Sequence, residues 1–270
     1  MSFGSSATAV LFPGQGVTVA GSREIVQETC GRPFARCCEL LGDDPFERAR
    51  ESTRFAQPAI FLASIASWIA LDHDPPAAFA GHSLGELSAL TAAGALRLDD
   101  AVSLVVLRGA LMADAADRQR DGAMLALLKG SVADARELGS AHGVDLANDN
   151  APGQTVLSGS DTALREVAAA ARGRGLRAIR LDVCGAFHSR AMQVACDPLR
   201  SALEALEIAQ PCAPVFSSMT AAPFCDVPGE LSRALVRPVR WRETMLALHA
   251  AGVARFLDVG PDRVLARLCE

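Results

Sequence analysis

The sequence predicts an α/β protein, a core of strands and helices carrying a smaller inserted βαββαβ unit. Three observations lead there. The apolar run Ala7 to Phe12 is closed by Pro13-Gly14, which reads as a buried strand ending in a tight turn. A second short strand of small residues, Ala77 to Ala80, runs straight into Gly81-His82-Ser83-Leu84-Gly85, and a helical stretch from Glu86 to Ala92 follows. From Met124 onward the texture changes to short strands alternating with short helices. A chain of 270 residues, half of them hydrophobic, is long enough for one large α/β domain or for a core with a smaller insertion.

Between the first two strands, the most apolar stretch runs from Ala59 to Leu71, with Pro58 suited to the first turn of a buried helix. It is too short to span a bilayer. Asp99 and Asp100 are expected to cap the next helix, which reaches about Ala113 and is apolar almost all round. Then come a strand from Met124 to Leu128, a helix from Val132 to Leu138, and strands Val144 to Ala147 and Thr155 to Leu157 flanking a turn-rich Asn148 to Gln154. A helix capped by Asp161 and running to about Arg172 and a last strand from Leu176 to Val183 complete the unit. This order is that of a ferredoxin-like split unit. It sets the expected division: 122–184 as a ferredoxin-like subdomain, 1–121 and 185–270 as the core.

The net charge is -5, acids and bases are interleaved, and Lys129 is the only lysine. With no basic cluster carrying aromatics, nucleic acid is not an expected partner. The eight cysteines form no CxxC pair and no Cys/His spacing suited to zinc, so no metal is expected and the thiols read as those of a reducing cytosol. No basic region precedes the first apolar residues, so a signal peptide is not expected. The chain reads as cytoplasmic and monomeric, with no membrane association.

Chemistry concentrates at Ser83. Gly81-x-Ser83-x-Gly85 between a strand and a helix is the setting of a nucleophile elbow, although an ordinary glycine-rich turn leaves the same trace. A sharp turn projects the hydroxyl at the strand end and aims the first helical amides at any anion formed there, which makes the Leu84 N–H a candidate oxyanion donor. A serine needs a base. His82 adjoins Ser83 but points elsewhere on an elbow, and His73, His142 and His249 read as solvated or packing residues. His188, just past a strand end in Gly185-Ala186-Phe187-His188-Ser189, can reach the same sheet edge. No acid declares itself as its partner, and a backbone carbonyl can take that place. Arg108 lies in a nearly all-apolar helix, where its charge requires an anion: a protein carboxylate, or a carboxylate of the substrate held by the planar fork.

These residues, in this order, resemble the malonyl-CoA:acyl carrier protein transacylases and the acyltransferase domains of polyketide synthases. Phe12-Pro13-Gly14-Gln15-Gly16, Ala56-Gln57-Pro58-Ala59, Gly81 to Glu86, Arg108-Gly109 with Met112, Asn148 to Gln154, Ala186 to Ser189, Pro238-Val239-Arg240-Trp241 and Val259-Gly260-Pro261 carry the likeness over most of the chain. The resemblance implies an α/β-hydrolase-like core with the active site in the cleft beside the ferredoxin-like subdomain. It implies a malonyl ester on Ser83, His188 as base, the amides of Gln15 and Leu84 as oxyanion hole, and Arg108 on the malonyl carboxylate. Asn150 and Gln154 belong to its substrate-binding loop. It implies malonyl-CoA and an acyl carrier protein as partners, ping-pong kinetics and no cofactor.

The sequence departs from the family in places. Ala234 stands where a glutamine often offers its carbonyl to the histidine, a role that a backbone carbonyl does not lose with the side chain. Val17-Thr18 replace Ser-Gln after the first motif, and the chain ends at Glu270 without the usual tail, which bears on rim contacts and carrier docking. Acyl choice is expected to rest on Phe187 and Leu84. A bulky Phe187 resembles malonyl-selecting members, although Gly185 replaces a histidine often seen two residues before it. Arg190, Arg237, Arg240 and Arg242 are candidates for a basic rim facing an acidic carrier. Hydrolysis of acyl thioesters by the same residues, transfer of methylmalonyl or another acyl group, and a non-enzymatic docking subunit are the competing readings.

Overall fold

The fold is that of a computed structural model, which describes residues 7–71 and 74–268. His73, Cys269 and Glu270 lie outside the described residues. The chain opens with β1 (Thr8–Phe12), followed by α1 (Ser22–Thr29), α2 (Gly31–Leu41) and α3 (Thr53–Ile69). Next come β2 (Ala78–Gly81), α4 (Gly85–Ala92) and α5 (Leu98–Gln119). A second sheet is then built from β3 (Gly122–Leu128), α6 (Val132–His142), β4 (Asp145–Ala151), β5 (Gln154–Ser160), α7 (Asp161–Gly173) and β6 (Arg177–Arg180). The remaining chain supplies α8 (Gln193–Glu204), β7 (Val215–Ser217), β8 (Ala222–Pro223), α9 (Val227–Ala234), α10 (Trp241–Ala250) and β9 (Arg255–Asp258).

The first sheet has the order β8-β7-β2-β1-β9 and is parallel except for the β7–β8 pair. Both its faces are covered, as a parallel sheet requires. Val10, Phe12 and Phe79 belong to the large core beneath α3, α4 and α5, where Trp68 meets Phe79 edge-on at 5.5 Å. Ala9, Leu11, Ala78 and Ala80 face the other way, onto Trp241 and Leu248 of α10. The second sheet, order β4-β5-β3-β6, is antiparallel throughout and packs one face on α6 and α7 through Leu125, Leu127, Leu138, Leu157 and Val167.

Several boundaries differ from expectation. Pro58 lies inside α3 rather than in its first turn, because the Ser52 hydroxyl accepts the Arg54 N–H and starts the helix earlier. Pro58 has no N–H to offer the Arg54 carbonyl. That carbonyl lies against α5, 3.1 Å from where a Cβ on Gly109 would stand. Asp99 and Asp100 sit in the first turn of α5, whose N-cap is Arg97, and the helix continues to Gln119 because no breaker intervenes. Asn148 to Ala151 belong to β4, so the hairpin turn is only Pro152-Gly153. Ser160, not Asp161, caps α7. The strand expected to Val183 ends at Arg180; the Leu181 N–H still donates to the Met124 carbonyl of β3 at 3.0 Å, and Leu181 to Val183 line a cavity beside Ser83.

Candidate active site

The nucleophile elbow follows from its glycines. At Gly81 a Cβ would stand 1.9 Å from the Gly85 carbonyl carbon, and at Gly85 a Cβ would stand 2.0 Å from the Phe12 carbonyl oxygen. Only hydrogens fit at those two positions, so β2 can turn directly into α4 beside β1. Ser83 pays with a φ of 54°, a strained setting typical of reactive groups.

Ser83 Oγ lies 2.7 Å from His188 Nε2. On the far side of the ring, Nδ1 faces the carbonyl oxygens of Ala234 at 2.8 Å and Arg237 at 3.2 Å. Carbonyls only accept, so Nδ1 carries the proton and Nε2 is free to take the serine proton. His188 is buried and has a φ of 56°. Burial, reinforced by the Arg108 charge, lowers its pKa to about 4.

Arg108 is 5% exposed. Its Nη2 donates to Ser83 Oγ at 3.2 Å and its Nη1 to Gln57 Oε1. Gln57 Nε2 donates to Thr53 Oγ1 at 2.8 Å, and that hydroxyl donates to Gln15 Oε1 at 2.8 Å. A relay of neutral groups therefore ties the guanidinium to the loop after β1. Among the described residues no carboxylate forms an ion pair with Arg108. Burial lowers its pKa to about 10, opposed by the field of Glu86. Glu86 is itself buried and accepts the Ser218 N–H at 2.7 Å, and burial raises its pKa to about 7.

A cavity of about 290 Å³ opens over this cluster, with Gln15, Ser83, Met112, Asn150, Phe187 and His188 in its wall. A groove of about 400 Å³ adjoins it, sharing Gln15, Asp182, Val183 and Phe187 and running on past Thr53 and Arg50. Among the described residues, neither the Gln15 nor the Leu84 backbone N–H donates to another protein group. The elbow geometry leaves such donors for an oxyanion.

The expected site residues divide accordingly. Ser83, His188, Arg108, Gln15, Phe187 and Asn150 converge, and Asn150 Oδ1 holds His82 Nε2 at 2.9 Å. Gln154 does not reach the cavity wall, because it opens β5 beside the hairpin turn. The Leu84 side chain is 1% exposed and packs in the core, so only its N–H can face the site and its side chain takes no part in acyl choice. The arginines expected at the rim are mostly engaged: Arg190 with Asp145, Arg240 with Glu243 and Arg242 with Asp149. Arg237 is exposed. His142 pairs with Glu166, and His249 faces the Val253 carbonyl. Gln57, Thr53 and Glu86 were given no role in the sequence reading. The signal available was their polarity within the mostly apolar helices α3 and α4.

The sequence model of the acyl transferase domain family matches residues 14–270. The chain belongs to that family. Among acyl transferase relatives, the malonyl CoA-acyl carrier protein transacylase of Bacillus subtilis is 36% identical, over 98% of this chain and 90% of its own length. The polyketide biosynthesis protein ThaF of Burkholderia thailandensis is also 36% identical, but this chain spans only 24% of it. The crystal structure of FabD from Acinetobacter baumannii superposes with a TM-score of 0.90 at 35% identity, covering 98% of this chain and 90% of that one. The acyl transferase fold here is thus the mixed α/β fold of those enzymes. Among the described residues no helix is long and apolar enough to cross a membrane, and no group of three or more His, Cys, Asp or Glu could hold a metal ion.

Proposed function

We propose that this acyl transferase carries a malonyl group from malonyl-CoA to the phosphopantetheine thiol of an acyl carrier protein, through an ester on Ser83. The observation that carries the reading is the meeting of three groups at one oxygen. Ser83 Oγ faces the free nitrogen of His188, and the buried Arg108, with no carboxylate partner among the described residues, reaches the same atom. The relatives named as malonyl CoA-acyl carrier protein transacylases supply the acyl group and the acceptor.

In the first half-reaction His188 Nε2 takes the Ser83 proton as Oγ attacks the thioester carbonyl. The Gln15 and Leu84 amides receive the charge on the carbonyl oxygen. Collapse breaks the C–S bond, and the imidazolium returns its proton to the departing coenzyme A sulfur. In the second half His188 takes the proton of the carrier thiol, whose sulfur attacks the ester, and Ser83 leaves with that proton. The Ala234 and Arg237 carbonyls hold the ring in one tautomer throughout. Arg108 holds the malonyl carboxylate in a bidentate grip, which fixes the acyl group and supports transfer over attack by water. Phe187 narrows the wall against a substituent on the α-carbon, a discrimination of about 1–3 kcal/mol per methyl.

In this reading the parallel sheet is an α/β-hydrolase-like core formed by 1–121 and 185–270. Residues 122–184 are a ferredoxin-like subdomain, supported by its element order and by the sheet order β4-β5-β3-β6. The protein works in the cytoplasm without a cofactor.

Incubation with malonyl-CoA and a phosphopantetheinylated carrier is expected to yield malonyl-carrier. Release of free malonate at the same rate with and without carrier would defeat the proposal. The pH profile adds a second expectation. The His188 pKa is depressed in the folded protein, so the base is neutral above about pH 4 and is lost as pH falls through that value. The acid limb of kcat/KM is therefore expected near pH 4, and a midpoint near the ordinary histidine value would contradict the burial of the ring.

A further inference from the structure

Two segments that meet the imidazole are tied to a single strand of the second sheet. β4 contributes Asn148 and Asn150 to the cavity wall, and Asn150 holds His82 beside the nucleophile. Between them Asp149, 3% exposed, turns its carboxylate toward α10. There the Arg242 fork grips it: Nε lies 3.1 Å from both oxygens and Nη2 lies 2.8 Å from Oδ2. The backbones join at the same place. The Asp149 N–H donates to the Val239 carbonyl at 2.9 Å, and the Val239 N–H to the Ala147 carbonyl at 2.8 Å. Five residues before Arg242, and eight before, stand the carbonyls of Arg237 and Ala234 that receive the His188 Nδ1–H. Near its start β4 is pinned again, where Asp145 accepts Arg190 Nη2 at 2.8 Å, Nε at 3.1 Å and the Arg190 backbone N–H at 3.0 Å, two residues beyond His188.

We propose that Asp149 and Arg242 are positioning residues for the imidazole, a charged brace that fixes the segment 234–242 against β4 and so keeps two carbonyls in place behind His188. The proposal rests on the reading of His188 as the base of Ser83. Neither residue touches the reacting atoms, and neither does Asp145 or Arg190. A bidentate arginine–carboxylate pair is suited to this because it fixes direction as well as distance. The backbone bonds through Val239 hold the segment along the strand direction, and the fork holds it against rotation. Small displacements matter: a shift of about 1 Å at a catalytic group costs on the order of 10²-fold in rate.

The test is a double-mutant cycle on the full chain with Asp149→Asn, Arg242→Gln and the pair together, read by two methods. Transfer kinetics are expected to show kcat lowered about tenfold in each single variant, KM for malonyl-CoA within about twofold of the parent, and no further loss in the double. Nitrogen NMR on protein with labelled histidine is expected to show His188 as the Nδ1–H tautomer in the parent and as a tautomer mixture in the variants. Arg242 is part-exposed, so its substitution keeps the test available if loss of the buried Asp149 charge prevents folding. An unchanged His188 signal in folded variants overturns the proposal, as do losses that multiply in the double. If instead the transfer reading is wrong, the parent fails the carrier assay while the His188 signal still responds to the substitutions.

Discussion

Ser83→Ala is expected to abolish formation of the acyl-enzyme and to lower malonyl transfer by at least about 10⁴-fold, the scale on which removing a serine nucleophile acts. Intact-protein mass after brief exposure to malonyl-CoA checks it directly. The parent gains one malonyl group, mapped to the peptide holding Ser83, and the variant gains none. The loss cannot be assigned to a disrupted elbow. The turn is imposed by Gly81 and Gly85, which admit no Cβ, and an alanine at a φ of 54° carries the same backbone strain as the serine it replaces. Malonyl transfer at the parent rate by Ser83→Ala would remove the covalent mechanism altogether.

Arg108→Ala is expected to lower malonyl transfer by about 10²- to 10³-fold while acetyl transfer stays at the parent rate or rises. The magnitude is that of losing one partner of a desolvated, hydrogen-bonded charge pair. The asymmetry follows from the partners: among the described residues the Arg108 guanidinium hydrogen-bonds to the neutral Gln57 and Ser83 and forms no ion pair, so its remaining capacity is for an anion brought from outside. Removing it also withdraws a positive charge that holds the His188 pKa down, which raises the basicity of the imidazole toward any acyl group. Rates with malonyl-CoA and acetyl-CoA, measured side by side, decide the matter. Equal losses for both would end the carboxylate-receptor role.

What the sequence revealed and what it hid have physical reasons. The elbow was legible because glycine spacing and a strand-to-helix transition are local properties. His188 meets Ser83 as expected but not by the expected route: the strand before it, β6, ends at Arg180 and belongs to the second sheet rather than to the one that ends in the elbow, while a backbone carbonyl, that of Ala234, faces the ring where no acid does. Arg108 stood out because a charge in an apolar helix demands an explanation. The relay from Arg108 through Gln57 and Thr53 to Gln15 was not legible, since it joins three separate segments. Helix α5 outran its expected end because apolar periodicity weakened before any breaker occurred. Arg242 looked like solvated rim because nothing in the sequence pairs it with a carboxylate 93 residues away.

The order in which strands enter the first sheet bears on how the protein comes into being. The pairings of the second sheet close within residues 122–181, at shorter sequence separations than the pairing of β1 with β9. The first sheet must instead bring β9, at Arg255–Asp258, alongside β1, at Thr8–Phe12, with Thr8 opposite Arg255. Such distant pairings are slow to close and leave apolar edges open meanwhile. Ser83 precedes in sequence both β7, which flanks β2, and the Ala234 and Arg237 carbonyls that face His188 Nδ1, so the arrangement around its hydroxyl is complete only after those later segments have folded back beside β2.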